Sequence, residues 1–250
     1  MSAVLETRKL CKSFGALTVA ESIDFRLEAG ARHALIGPNG AGKTTLVNML
    51  TGRLAPSSGR ILLGGEDITG LRQAARVKRG IGRTFQINTL FRDLTVLDNV
   101  ALGIAERSGI AARLWRPASS FHAIHDESMA LLATLGLADD AASRVFDLPY
   151  GKQRLVEIAI ALGLKPTVLL LDEPAAGVPS VETGRILEVL DGLPPEIAIL
   201  IIEHDMDLVF RFARRITVMV QGEVLVEGTP EEIAGDRRVQ QVYLGEQHHG

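Results

Sequence analysis

Three observations predict an α/β protein with a parallel central sheet, an N-terminal antiparallel β subdomain and an inserted helical subdomain. Residues 31–36, 168–171 and 197–202 are near-continuous apolar runs, as expected of strands covered on both faces of a parallel sheet. Residues 5–14 and 17–27 alternate apolar and polar, as half-exposed antiparallel strands do. From residue 95 to 164 the apolar spacing turns helical, with Val96, Leu97, Val100, Ala101 and Ile104 on one face.

Taken in order, the two alternating runs form the antiparallel pair. The run ending in His33-Ala34-Leu35-Ile36 is a buried strand, and Thr45-Leu46-Val47-Asn48-Met49-Leu50 is a helix that Gly52 can end. The helical stretch breaks at 107–120, where Gly109, Pro117 and the paired Ser119 and Ser120 fall. Helix spacing resumes at 129–137 and again at 150–164. Helices are expected between the later apolar strands, in a βαβ layout. Thr217-Val218-Met219-Val220, a Gln221-Gly222-Glu223 turn and Val224-Leu225-Val226 read as a closing hairpin. Thr229-Pro230-Glu231-Glu232-Ile233 is a helix start, with an N-cap, proline at the first position and acids in the first turn.

Composition bounds the rest. With 250 residues the chain fits one large domain or two small ones. Its net charge of −3 argues against a nucleic-acid-binding surface. The single Cys11 excludes an intramolecular disulfide and fits a reducing compartment. Acidic Glu6 interrupts the apolar start that a signal peptide needs. No apolar run approaches the ~18 residues that span a bilayer, so work at a membrane requires a partner to hold the chain there.

Chemistry enters with Gly37-Pro38-Asn39-Gly40-Ala41-Gly42-Lys43-Thr44, a match to G-x-x-x-x-G-K-[ST] between a buried strand and a helix. Such a loop aims backbone N–H groups at a polyphosphate. Lys43 reaches the β- and γ-phosphates, and the Thr44 hydroxyl is placed for Mg²⁺. The phosphates then lie on a helix N-terminus, Thr45 included, where the dipole favours anions. An ordinary Gly-rich turn would not need all three contexts at once. The pattern implies ATP or a related nucleotide and a P-loop NTPase core. Further on, the apolar Val168-Leu169-Leu170-Leu171 runs into Asp172-Glu173-Pro174, so both carboxylates sit at the strand end where α/β sheets bind ligands. Asp172 suits the Mg²⁺ shell, and Glu173 suits a general base that orients water.

These features resemble the ATPase subunits of ATP-binding-cassette (ABC) transporters, over nearly the whole chain. On that resemblance Gln86, in Arg83-Thr84-Phe85-Gln86, is the glutamine that touches Mg²⁺ and links ATP to the transmembrane partner. Leu148-Pro149-Tyr150-Gly151-Lys152-Gln153-Arg154 falls at the family's signature motif. There Tyr150, Gly151 and Lys152 would contact the ATP of an opposite subunit. His204, in Ile201-Ile202-Glu203-His204-Asp205, matches the switch histidine that senses the γ-phosphate, and Phe14 matches the aromatic on which adenine stacks. The resemblance implies one ABC ATPase domain over 1–250, its core near 1–86 and 165–250 and its helical signature subdomain near 87–164.

The signature departs from the usual Leu-Ser-Gly-Gly-Gln. Pro149 replaces a serine whose hydroxyl donates to the opposite nucleotide, and proline has neither hydroxyl nor N–H. Proline does start helices well, and the Tyr150 and Gly151 N–H groups are expected to remain free there. Lys152 adds a charge where glutamine is usual. Ala175-Ala176-Gly177-Val178-Pro179 also lacks the aspartate usual in the subunit-contact loop. An intact phosphate-loop side beside an atypical signature suggests pairing with a different ATPase subunit, with a homodimer as the alternative.

Arg83-Thr84-Phe85-Gln86, Leu90-Phe91-Arg92-Asp93-Leu94-Thr95-Val96, the 107–120 break, Asp172-Glu173-Pro174-Ala175-Ala176-Gly177, Ile202-Glu203-His204-Asp205-Met206 and Val242-Tyr243-Leu244-Gly245 look like the branched-chain or hydrophobic amino-acid uptake subfamily. That likeness implies transmembrane permease subunits, indirectly a substrate-binding protein, no nucleic acid, and a peripheral place on the cytoplasmic face of the membrane. Urea or amide importers and the lipopolysaccharide-export ATPase share much of the pattern. Ile87, Leu90 and Phe91 fit either a groove for a membrane-subunit helix or the core. Trp115 fits either loop packing or a partner contact. A GTPase lacks support, because no Asn-Lys-x-Asp is present. A cassette acting on DNA or in translation is disfavoured by the single cassette, the one cysteine and the slight acidity.

Overall fold

A computed structural model describes residues 3–84, 90–109 and 119–246. The chain opens with β1 (Ala3–Phe14), β2 (Leu17–Glu28) and β3 (Arg32–Ile36), followed by α1 (Lys43–Thr51). Next come β4 (Ser58–Leu63), β5 (Glu66–Asp67), α2 (Gln73–Val77) and β6 (Ile81–Arg83). A helical stretch follows: α3 (Val96–Arg107), α4 (Ser119–Thr134) and α5 (Tyr150–Gly163). The chain then alternates β7 (Val168–Asp172), α6 (Ser180–Asp191), β8 (Ala198–Ile202) and α7 (Met206–Phe212). It closes with β9 (Arg215–Val220), β10 (Glu223–Gly228), α8 (Pro230–Gly235) and α9 (Arg237–Glu246).

Two sheets carry the fold. β2-β1-β4-β5 is antiparallel, and β10-β9-β3-β8-β7-β6 is parallel except for its β10 edge. The period of two along the central strands divides the buried side chains between two cores. Leu35, Val168, Leu170, Leu200 and Ile202 face α1 and the antiparallel sheet. Ala34, Ile36, Leu169, Leu171, Ile199 and Ile201 face the helices of the other side. Strands covered on both faces have little need of polar residues, which is why β8 and β7 up to Leu171 read as continuous apolar runs; β3 adds Arg32 and His33, both buried and hydrogen-bonded.

Local signals set the element ends. Gly52, with φ of 78°, ends α1 in the left-handed conformation. Thr95 and Asp98 form a capping box on α3, and Thr229 and Glu232 form another on α8, with proline at its first turn. Gln221 and Gly222 both have positive φ, the two-residue turn that matches strand twist. One boundary differs from the apolar pattern: α4 begins at Ser119, not Met129. Its first turns are too polar to read, and what holds them is specific. Ile124 is buried, the Ser128 hydroxyl donates to the Ile124 carbonyl, and Glu127 pairs with Arg107 of α3. Gln86 and Ile87 lie outside the described residues, as does Trp115.

Candidate functional site

The strand order β3-β8-β7 puts three chemical segments on one sheet edge. These strands are parallel, with Leu35 beside Ile202 and Ile202 beside Asp172. The phosphate loop after β3, Asp172-Glu173 at the end of β7 and Glu203-His204 after β8 therefore leave neighbouring strands in the same direction. This is the carboxyl edge at which open α/β sheets bind ligands.

The loop itself needs its glycines for close approach as well as for turning. Gly37 has φ of 148°, and a Cβ there would lie 2.1 Å from the Met219 carbonyl oxygen of β9. Gly42 has φ of 95°, and its Cβ would meet the Val19 carbonyl oxygen of β2 at 2.7 Å. The loop is thus wedged between the two sheets, with the Gly222 N–H donating to the Ala41 carbonyl at 3.0 Å. The Lys43 ammonium donates to the carbonyls of Gly37 and Pro38, so its charge lies over the loop's concavity. Pro38, Asn39, Gly40 and Ala41 complete the turn; Ala41 is buried, Thr44 is exposed and Thr45 is half-buried. Phe14 ends β1 and is 53% exposed, so it is not a core residue. The Lys12 ammonium sits 4.9 Å from the ring centroid.

Asp172 is half-buried, and its Oδ2 accepts from Arg83 at 2.8 Å. Arg83 also donates to Asn48 Oδ1 of α1 at 2.8 Å, so one buried guanidinium ties β6 and β7 to the phosphate-loop helix. The oxygen donors Thr44 and Asp172 suit a hard cation such as Mg²⁺, with Asp172 offering Oδ1. Among the described residues there is no cluster of three or more His, Cys, Asp or Glu side chains that would form an all-protein metal cage.

Glu173 has φ of 47°, a left-handed backbone that is rare for a residue with a side chain. Such strain collects at functional sites. Its N–H donates to the Ile202 carbonyl at 2.9 Å, and its half-exposed carboxylate lies 3.8 Å from His204 Nδ1. Beneath both is Glu203, which is 1% exposed. Glu203 accepts the Ala175 N–H at 3.1 Å and the His204 N–H at 3.2 Å. Burial pushes its carboxyl above the ordinary range, and the nearby Glu173 charge adds to the shift.

The signature segment begins α5, with Pro149 as N-cap and no side-chain cap bond from it. One expectation there is corrected, and the Lys152 charge has a partner of its own. The Gly151 N–H is not free: it donates to Glu182 Oε2 of α6 at 3.1 Å. The Lys152 charge is matched within the chain, since its ammonium contacts both Asp140 oxygens at 2.8 and 2.7 Å. Tyr150 stacks on Arg154, whose guanidinium lies 5.3 Å from the ring centroid. Leu90 is a core residue and Phe91 is exposed, which divides the two readings of that patch. A cleft of about 1010 Å³ opens between α2 and the ends of α3 and α5, with Val77 and Leu164 among its walls.

Sequence reasoning missed Arg83, Glu182 and Glu203 as members of this neighbourhood. Arg83 closes a three-residue strand too short to show a pattern. Glu182 reaches Gly151 across 31 positions, which no local spacing reveals. Glu203 did leave a signal, a carboxylate directly after five buried apolar residues.

The family pattern described as "ABC transporter" matches residues 20–176, and that of the "Branched-chain amino acid ATP-binding cassette transporter" matches residues 223–249. The chain is 38% identical to the high-affinity branched-chain amino acid transport ATP-binding protein LivG of Escherichia coli, over 97% of this chain and 98% of the relative. It is 36% identical, over the same shares, to BraF of Pseudomonas aeruginosa, a protein of the same description. The fold superposes with a TM-score of 0.85 on the ADP conformation of an ATP-binding cassette of an ABC transporter, 29% identical, covering 98% of this chain and 100% of that one. By sequence over nearly its full length and by fold, the chain belongs to the ATP-binding cassette family of ABC transporters.

Proposed function

We propose that this chain hydrolyses Mg·ATP as one of two cassettes that power uptake of branched-chain or other hydrophobic amino acids through membrane permease subunits. The observation that carries this is the meeting of the phosphate loop, Asp172-Glu173 and His204 on three adjacent parallel strands. The cargo rests on the likeness to LivG and BraF, named for branched-chain amino acid transport.

In this reading adenine stacks on Phe14, and the loop from Gly37 to Thr45 cradles the phosphates, with Lys43 turning from the loop carbonyls to the β- and γ-phosphates. Thr44 and Asp172, together with Gln86, would hold Mg²⁺, which would supply charge neutralisation at the phosphates. Glu173 accepts a proton from the attacking water and orients it in line. His204, within 4 Å of Glu173, steadies the γ-phosphate side. The barrier falls through positioning and charge stabilisation, with no covalent enzyme intermediate. Two cassettes close head to tail, each ATP lying between one phosphate loop and the other's Tyr150-Gly151-Lys152 segment. Hydrolysis reopens the pair.

No helix among the described residues is long and apolar enough to cross a membrane. Attachment at the cytoplasmic face therefore falls to the permease, for which the α2–α3 cleft offers a partly apolar seat. The core near 1–86 and 165–250 and the helical subdomain near 87–164 are the two parts whose relative motion this mechanism uses. The test is uptake of labelled leucine, urea and acetamide by cells lacking the chain, complemented with wild type or Lys43→Ala. Loss of leucine uptake alone, restored by wild type only, is expected. Loss of urea or amide uptake with leucine spared overturns the cargo reading.

A further inference from the structure

Glu203 is a carboxylate buried to 1% exposure that the hydrolytic steps above do not use. A buried charge is costly unless it is paired or hydrogen-bonded. Among the described residues its one ionic neighbour within 4 Å is the His204 ring, at 3.9 Å. What stabilises it instead are two backbone N–H groups from different segments. Oε1 takes the N–H of Ala175, two residues beyond Glu173, and Oε2 takes the N–H of His204. One carboxylate therefore staples the loop that carries Glu173 to the strand end that carries His204. The Glu173 N–H to Ile202 carbonyl bond runs beside it and closes the same junction. Between these bonds Glu173 is held in its left-handed backbone, φ of 47°, with its carboxylate 3.8 Å from His204. A conformation that unfavourable persists only where the surroundings over-determine it.

We infer that Glu203 is a positioning residue for ATP hydrolysis, setting the relative placement of Glu173 and His204 through its two backbone hydrogen bonds. The inference rests on the proposed roles of those two residues. It touches neither the phosphate loop nor Phe14, so it concerns the chemical step and not nucleotide binding.

Glu203→Gln keeps the shape but turns one acceptor into an N–H donor that faces a backbone N–H head-on. Steady-state turnover of wild type, Glu203→Gln and Glu173→Gln is measured in the assembly in which wild type is active, beside binding of a non-hydrolysable Mg·ATP analogue. Glu203→Gln is expected to lower kcat by about tenfold or more, with KM and analogue affinity within about twofold, the split of an interaction felt in the transition state. Unchanged kcat in Glu203→Gln beside lost turnover in Glu173→Gln overturns the inference alone. A kcat loss matched by an equal loss of analogue affinity also overturns it, because that is a general structural effect. Full turnover in Glu173→Gln overturns the reading of the site and the inference with it. Should Glu203→Gln not fold, Glu203→Asp carries the same expectation, since it keeps the charge but is one methylene too short to span both N–H groups.

Discussion

The Glu182 carboxylate of α6 accepts the Gly151 N–H at 3.1 Å, and a Cβ on residue 151 would lie 2.1 Å from that same oxygen. An acid from the helix after the Asp172-Glu173 loop thus caps the signature helix that Pro149 leaves without a side-chain cap. A bare Cα at 151 is what lets it approach. An incoming γ-phosphate would compete with this carboxylate for the same N–H.

Glu182→Ala is therefore expected to move two readouts in opposite directions. Loss of the cap costs about 1 kcal/mol of stability, seen as a lower unfolding midpoint. ATP-dependent association of cassettes strengthens, because an anion leaves the helix N-terminus. Sedimentation with and without Mg·ATP checks the second effect, and weaker association in the variant would count against the competition.

Glu173→Gln removes the carboxylate proposed to accept the proton from water and leaves the phosphate loop untouched. Turnover is expected to fall by roughly 10²–10⁴-fold, the usual worth of a general base. Nucleotide affinity should hold and closed dimer accumulate. Comparing ATPase rate with analogue binding and sedimentation separates these effects.

His33 lies inside β3, and burial pulls its pKa down from 6.5 to about 4. The Thr217 hydroxyl donates to Glu227, so its oxygen is left to accept from His33 Nε2–H at 2.8 Å, and the ring is held neutral. Unfolding releases the ring to bind a proton, so stability from this group is full above about 6.5 and declines as pH falls towards about 4. Glu157, pushed up to about 7 by burial, titrates in the opposite sense over much of that range. A comparison with His33→Asn isolates the histidine. The stability advantage of wild type should shrink by about 2 kcal/mol between pH 8 and pH 5, read by denaturant unfolding at each pH.

Arg76 is 1% exposed and donates to the Met49, Leu50, Thr69 and Leu71 carbonyls at 2.7–2.9 Å. Two of these belong to the last turn of α1, where a cation also complements the helix dipole. Arg76→Met would take this donor from the Leu50, Thr69 and Leu71 carbonyls, while the Met49 carbonyl keeps the Gly52 N–H, at a cost of about 3 kcal/mol. The unfolding midpoint in denaturant measures it, and Arg76→Lys should recover only part, because one ammonium cannot reach four acceptors.

The sequence by itself determined the fold class and brought forward the phosphate loop, Asp172-Glu173 and His204 as the candidate ATP site. Apolar runs of strand length at 31–36, 168–171 and 197–202 fit strands covered on both faces, and Gly37 to Thr44 carries its own backbone logic. Tertiary structure decided how those members are held. Arg83 on Asp172, Glu203 between Ala175 and His204, and Glu182 on Gly151 join residues 89, 28 and 31 positions apart. Periodicity and capping rules act within a few residues. A hydrogen bond between distant segments depends on which strand lies beside which, and the sheet order settles that only once the chain has folded.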